Sequence, residues 1–302
     1  MVSIPLPLET ETVRCVDFAV THGVDPGGTA LAPDVVVLAE VDEPWPKPAG
    51  KHEAMVELVR ACQERPENIR LLAAVPKSDD PRRLIAFRPA AGGATRSERP
   101  MCVDPIGALH EVLDDPTPTT AEIAHGVTSL LVCTQGSHDV CCGTDGAAFA
   151  DWAEGNLEVE VFRVSHTGGH KFAPTAMTLP DGRMWAYLDG PTATEIVVTR
   201  SDAATIASRC RGWWGASSGP AQVAERAVFA EVGYALDAEP RTVMVEELAK
   251  GSRVVVGGSS RSYEVVVELG REVPTIMCSA PGGLPVKPGR EWVVVTGPTA
   301  LT

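Results

Sequence analysis

The sequence is short of basic charge and has no long uncharged apolar run. Its 26 lysines and arginines face 40 aspartates and glutamates, a formal charge of −14. Such a balance repels a phosphate backbone and argues against nucleic-acid binding. An acidic surface serves solubility first and the docking of a basic redox partner second. No uncharged stretch approaches the roughly 18 residues of a membrane helix. The opening MVSIPLPLETETVR lacks the basic start and the apolar core of about 7 to 15 residues that mark a secretory signal. From these absences we expect a cytoplasmic protein without membrane contact. Phosphate-cradling loops are missing too, because the Gly-rich runs DPGGTA and APGGLP contain neither GxxxxGK[ST] nor GxGxxG. Nothing identifies a carboxylate pair set to flank a sugar. There is no CxxC step of the kind thiol oxidoreductases employ, no internal sequence repeat and no extended low-complexity tract.

What the chain does have is size and cysteine. With 302 residues and 44% apolar content it can bury a sizeable core, divided over two or three domains. In a reducing compartment its eight cysteines are better read as thiols and ligands than as a disulfide framework. Four residues stand out: Cys133 and Cys142 in CTQGSHDVCCG, then His166 and His170 in SHTGGH. Two thiolates and two imidazoles within 38 positions make a metal site. One segment offers sulfur and the other nitrogen, which suits a binuclear cluster with chemically different ends. A [2Fe–2S] centre with two Cys on one iron and two His on the other has a potential well above that of an all-Cys ferredoxin.

Local patterns place these residues on supports. TSLLVC is apolar and suited to a buried strand ending at Cys133, and LEVEVFRVS alternates as a second strand ending before His166. Gly136, Ser137, His138 and Asp139 form a turn between the cysteines. The spacing of His166 and His170 would put both on one face of a helix. However, Gly168 and Gly169 would each cost about 1 kcal/mol there, so SHTGGH is expected as a loop.

These residues resemble the sucrase/ferredoxin-like family, whose pattern is Cys, a Gly-Ser-basic-Asp turn, a second Cys nine positions on followed by Gly, and later Ser-His-x-Gly-Gly-His-[Lys/Arg]-[Phe/Tyr]-Ala. Here these are Cys133, Gly136 to Asp139, Cys142, Gly143 and Ser165 to Ala173, with His138 where the family often has arginine. Weaker likeness extends over most of the chain, including GVDPGGTA and the following VVVLAEV. The resemblance implies Cys133, Cys142, His166 and His170 as ligands of a [2Fe–2S] cluster in a thioredoxin-like ferredoxin domain. It also implies an electron carrier rather than an enzyme with its own substrate, served by a reductase or acceptor protein.

Two other chemistries fit the same residues. The Cys2His2 set can hold one tetrahedral Zn²⁺ in a structural or interaction protein. The adjacent Cys141 and Cys142 can act as a thiol redox pair. Cys15, Cys62, Cys102, Cys210 and Cys278 read as small buried hydrophobes. His22, His52, His110 and His125 read as surface or packing residues, His138 as a solvated turn residue, Lys171 as solvated, and Trp213 and Trp214 as core.

The expected fold class is α/β (α+β). An N-terminal α/β region, residues 1–118, contains strands at VVVLAEV, IRLLAAV and RLIAFRP and a helix around HEAMVELVRACQE. A thioredoxin-like ferredoxin region, 119–212, begins after DDPTPTT with a helix AEIAHGV capped by Thr119 or Thr120. It continues with a helix at AAFADWAEG, a hairpin turning at Pro180, Asp181 and Gly182, and a helix in SDAATIASRC capped by Ser201 or Asp202. The last region, 213–302, opens with a helix over AQVAERAVFAEVGYAL and ends in a small antiparallel sheet. Imidazole ligands can lose their second ring proton, so the cluster is expected to show a pH-dependent potential with coupled electron and proton uptake. A potential that stays flat from neutral to alkaline pH in protein-film voltammetry would count against histidine ligation.

Overall fold

A computed structural model describes residues 4–77, 81–101, 103–122, 126–238, 240–258, 260–278, 280–284 and 288–301. Ten strands form one mixed sheet in the order β10-β9-β8-β6-β7-β2-β1-β3-β4-β5. The first half comprises β1 (Val35–Glu40), α2 (Glu53–Gln63), β2 (Ile69–Ala74), β3 (Arg83–Ala90), β4 (Gly93–Pro100), α3 (Pro105–Leu113) and β5 (Thr119–Glu122). The second half comprises β6 (Ser129–Cys133), α4 (Ala147–Asn156), β7 (Glu160–Val164), β8 (Ala176–Leu179), β9 (Arg183–Trp185), the short helices α5 (Gly190–Thr194) and α6 (Ala203–Ile206), and β10 (Cys210–Trp213). A short helix α1 (Cys15–Thr21) precedes them.

The two halves have the same topology, although the sequence shows no repeat. In each, a parallel βαβ unit (β1 with β2, β6 with β7) is followed by a hairpin that extends the sheet antiparallel from the first strand. The halves join where β2 meets β7, with Ala74 opposite Val164. Burial explains why the first strands are almost wholly apolar. Val35, Val37 and Ala39 of β1 pack with residues of α2 and α3, while Val36 and Leu38 pack in a layer shared with Leu131, Phe162, Met177 and Trp214 of the second half. A strand covered on both faces carries no polar alternation.

The α2, α4, β1, β2, β3, β6 and β7 expectations and the hairpin turn hold, and Asp202 caps α6, its carboxylate accepting from the Thr205 N–H. AEIAHGV departs from expectation. Thr119–Glu122 pair with β4 as an edge strand instead of opening a helix, and residues 123–125 lie outside the described set. Thr119 and Thr120 are β-branched and face a partner strand, so cross-strand pairing wins over a weak local cap. Also unanticipated are α1, β4, α3, α5 and β10, whose stretches lack a clear period.

The C-terminal region is α7 (Gly219–Val232) and a four-stranded antiparallel sheet, β11 (Thr242–Glu247), β12 (Ser252–Gly257), β13 (Ser262–Val273) and β14 (Gly289–Leu301). Val223, Val228 and Phe229 of α7 pack between the second half and Val254, Val256, Val265 and Val267 of this sheet. A fully buried ionic network ties the layers together. Arg183 of β9 donates to Asp237 at 2.6 Å and to Glu225 of α7 at 2.9 Å, and Arg241 approaches both carboxylates at 3.0 Å. The Arg183 guanidinium also lies 3.8 Å from the Phe229 ring centroid. No helix among the described residues is long and apolar enough to cross a membrane.

Breaking such a network leaves a buried charge without its partner, so Asp237→Ala is expected to cost about 3–5 kcal/mol in urea denaturation. Burial pushes the Asp237 carboxyl up, but Arg183 and Arg241 outweigh it and hold it below the usual carboxylate range. Its contribution is therefore present above about pH 4 and lost as pH falls through the lower folded-state value. Asp237→Asn should be less stable at neutral pH and lose less on acidification, as read from urea midpoints across a pH series.

Candidate metal centre

Parallel pairing of β6 with β7 sets Cys133 opposite Val164, so both strands end at one edge. Crevices at the carboxyl ends of parallel strands are where α/β sheets place their sites. The chain leaving β7 carries His166 to the mouth of the chain leaving β6. The 136–138 turn brings Cys142 back at the start of a helical turn (Cys142–Gly146) that leads into α4. Ligand atoms of Cys133, Cys142 and His166 all lie within 4.8 Å of one another. Both thiols are fully buried. The Nδ1 of His166 is buried with no hydrogen-bond partner, as suits a nitrogen meant for a metal.

His170 stands beside this group. Its ring centroid is 6.0 Å from that of His166, and its Nδ1 lies 2.9 Å from an Asp139 carboxylate oxygen. A carboxylate behind a histidine fixes the tautomer and orientation of a metal-binding ring. SHTGGH is a loop, as expected, followed by a single 3-10 turn from His170. Gly169 has φ +70, and a Cβ there would meet the Arg211 guanidinium at 2.7 Å, so glycine is needed twice over.

The first half of the sheet buttresses the cysteine loop. Gln135 donates to the Pro46 carbonyl and its Oε1 accepts from the His166 N–H at 3.0 Å, while Ser137 donates to the Trp45 carbonyl and Lys47 to that of His138. His138 is stacked on His166, ring centroids 3.5 Å apart, rather than solvated. Burial and the neighbouring His166 lower it to about 4, so it stays neutral at physiological pH.

Electrostatics favour sulfur anions at this edge. Contact with the Cys142 thiol holds Cys133 well below the usual thiol range against the cost of burial, and the same contact pushes Cys142 up. Two guanidiniums without a carboxylate partner among the described residues stand nearby. Arg211 is buried and, among the described residues, donates to Thr29 and the Gly168 carbonyl alone. Burial pulls it down to about 10, while Cys133 and Cys142 act in the opposite direction. Arg70 donates to the His166 carbonyl, its Nε is buried and unpartnered, and Cys133 likewise opposes the effect of its burial.

Adjacent cysteines face different ways here. While Cys142 joins Cys133 and His166, Cys141 joins Cys15, Cys278 and Asp139, whose ligand atoms also lie within 4.8 Å of one another. Cys15 is buried, as read from the sequence, and Cys278 is partly buried, but both stand beside Cys141 and Asp139 rather than among apolar side chains alone. Cys62 and Cys210 remain buried in the packing, and Cys102 lies outside the described residues. Asp139 is read from the sequence only as a turn residue between the cysteines, and no sequence spacing connects Arg70 or Arg211 with them. Lys171 is half-buried near the Phe172 ring instead of solvated, and burial lowers its pKa. Trp214 is core, and Trp213, partly buried, packs against the same cluster and lies under Arg241 at 4.0 Å. Gly215 to Gly219 fit a GxSxG pattern, but the exposed Ser217 has no histidine or carboxylate hydrogen-bonded to it among the described residues, so no hydrolase triad forms.

The structure is a mixed α/β sheet that carries, at one edge, Cys, His and Asp groups that could hold a metal ion. A sucrase/ferredoxin-like family model matches residues 26–212, more than half of the chain and all of β1 to β9 with most of β10, and the chain belongs to that family. No curated protein and no solved structure matches it.

Packing at the cysteine loop is testable at one glycine. A Cβ on Gly146 would sit 2.2 Å from the Cys133 carbonyl oxygen. Gly146→Ala should therefore lower stability by about 1–3 kcal/mol. Gly155→Ala, in open space on α4, should raise it by up to about 1 kcal/mol. Urea denaturation of both variants checks the contrast.

Proposed function

We propose that this chain is an electron-transfer protein in which Cys133 and Cys142 hold one iron of a [2Fe–2S] cluster and His166 and His170 hold the other. The observation that carries the proposal is the convergence of two buried thiols and an imidazole with an unpartnered buried nitrogen at the ends of β6 and β7. Bound there, such a cluster supplies one-electron chemistry at a potential raised by its histidine ligands.

The rest of the site suits that role. Asp139 accepts from Nδ1 of His170 and leaves Nε2 as that ring's ligating nitrogen. Gln135 anchors the His166 backbone. Arg70 and Arg211 place positive charge beside the thiolates, offsetting the anionic character that sulfur ligands bring into a buried position. The His170 side chain is 26% exposed while both cysteines are buried, so a partner would approach from the histidine side. A carrier of this kind needs a reductase or acceptor protein, and the net charge of −14 favours a basic one.

Anaerobic purification followed by visible absorption, EPR after dithionite reduction, and iron, sulfide and zinc assays tests the proposal. We expect red-brown protein with iron and sulfide in equal amounts and a rhombic reduced signal, lost in Cys133→Ser and strongly altered in His166→Ala and His170→Ala. Colourless protein with one zinc in the Cys133, Cys142, His166 set would indicate the structural alternative. Metal-free folded protein would reject both.

A further inference from the structure

The geometry points to a second metal site, distinct from the Cys133 set, in which Cys15, Cys141 and Cys278 with Asp139 hold a single Zn²⁺ as a tetrahedral S3O centre. It does not rest on the electron-transfer proposal, and two of its ligands lie outside the family-matched stretch of 26–212.

Distances carry the inference. In tetrahedral zinc with Zn–S of about 2.3 Å and Zn–O of about 2.0 Å, sulfurs lie about 3.8 Å apart and a sulfur lies about 3.5 Å from the oxygen. Cys15 and Cys141 sulfurs are 3.7 Å apart, and those of Cys141 and Cys278 are 3.3 Å apart. Asp139 Oδ1 is 3.6 Å from the Cys15 sulfur and 3.5 Å from that of Cys278. Four donors from three distant parts of the chain thus already stand near the vertices of one coordination sphere.

Charge at the group favours a bound cation. Asp139 is 7% exposed and Cys15 and Cys141 are fully buried, so a carboxylate is placed among thiols in a poorly solvated spot. Such a grouping is costly unless a positive charge joins it. The outer contacts are those of a metal-thiolate site: the Cys15 N–H donates to the Cys278 sulfur at 3.1 Å, the Val16 N–H to the Cys141 sulfur, and Arg14 contacts Cys141. The remaining Asp139 oxygen is the one that accepts from His170, so the two sites share this carboxylate. The site also fastens the chain ends. Cys15 opens α1, Cys278 sits on the loop after β13, and the segment just before Cys15 is joined to the one just after Cys278 by the Thr12–Pro281 bridge and the Gly282 N–H to Glu11 carbonyl bond.

Zinc K-edge X-ray absorption on the full-length protein, purified with zinc sulfate and then desalted, reads this site without interference from iron. We expect about one zinc per chain with three sulfurs near 2.3 Å and one oxygen near 2.0 Å and no imidazole scattering. Zinc retention should drop at least tenfold in Cys15→Ser and Cys278→Ser and persist in Cys133→Ser and His166→Ala. A spectrum with imidazole scattering, no zinc after desalting, or a Cys141–Cys278 disulfide by non-reducing peptide mapping would overturn the inference. Should the serine variants fail to fold, the wild-type spectrum still decides. Loss of iron and sulfide with this zinc shell intact would reject the cluster proposal alone.

Discussion

The in-register parallel pairing of β6 with β7 is the constraint on which the site depends. It makes Cys133 and the residue before Ser165 neighbours across the ladder, so the two outgoing segments leave the sheet side by side. From that edge the cysteine turn and the histidine loop can meet only if the backbone packs very closely. The glycines at 146 and 169 allow it, one against the Cys133 carbonyl and the other against Arg211. A change in register by one residue would turn Cys133 to the other face of the sheet and dissolve the group.

The duplicated topology gives that edge its rigidity. Because the first half has the same βαβ-plus-hairpin order as the second and joins it at β2 and β7, the segment after β1 reaches the cysteine loop. Gln135 and Ser137 donate to carbonyls of that segment, and Arg70 of β2 reaches the His166 carbonyl. One half thus carries the ligand candidates, and the other supplies hydrogen bonds and a buried cation. On the far side of the second half, the Arg183 network with α7 anchors the C-terminal region, whose loop after β13 delivers Cys278.

Charge is distributed with the same economy. The chain as a whole is strongly acidic, yet Arg70 and Arg211, beside Cys133 and Cys142, have no carboxylate partner among the described residues, while Arg183 is surrounded by carboxylates. An arginine buried among neutral acceptors beside sulfur stabilises thiolate, whereas one buried among carboxylates stabilises the fold. Asp139 stands between the two sulfur groups, tied to His170 on one side and to Cys15 and Cys278 on the other.

By itself the sequence determined the α/β class, the main strands and helices of both halves, the loop at SHTGGH and the prominence of Cys133, Cys142, His166 and His170. These rest on local signals: apolar runs, alternation, paired glycines and short spacings that survive in one dimension. What only the tertiary structure decided lies at long separations in the chain. Nothing local pairs Cys15 with Cys141 or Cys278, sets Arg70 and Arg211 beside the thiols, or turns neighbouring cysteines to opposite sides. Thr119 and Thr120 became strand because β4 presented an open edge, and the repeat of topology left no trace in residues because each half covers its strands with different side chains. Strand order and packing create those proximities, and they follow from burying the whole apolar set at once rather than from any single stretch.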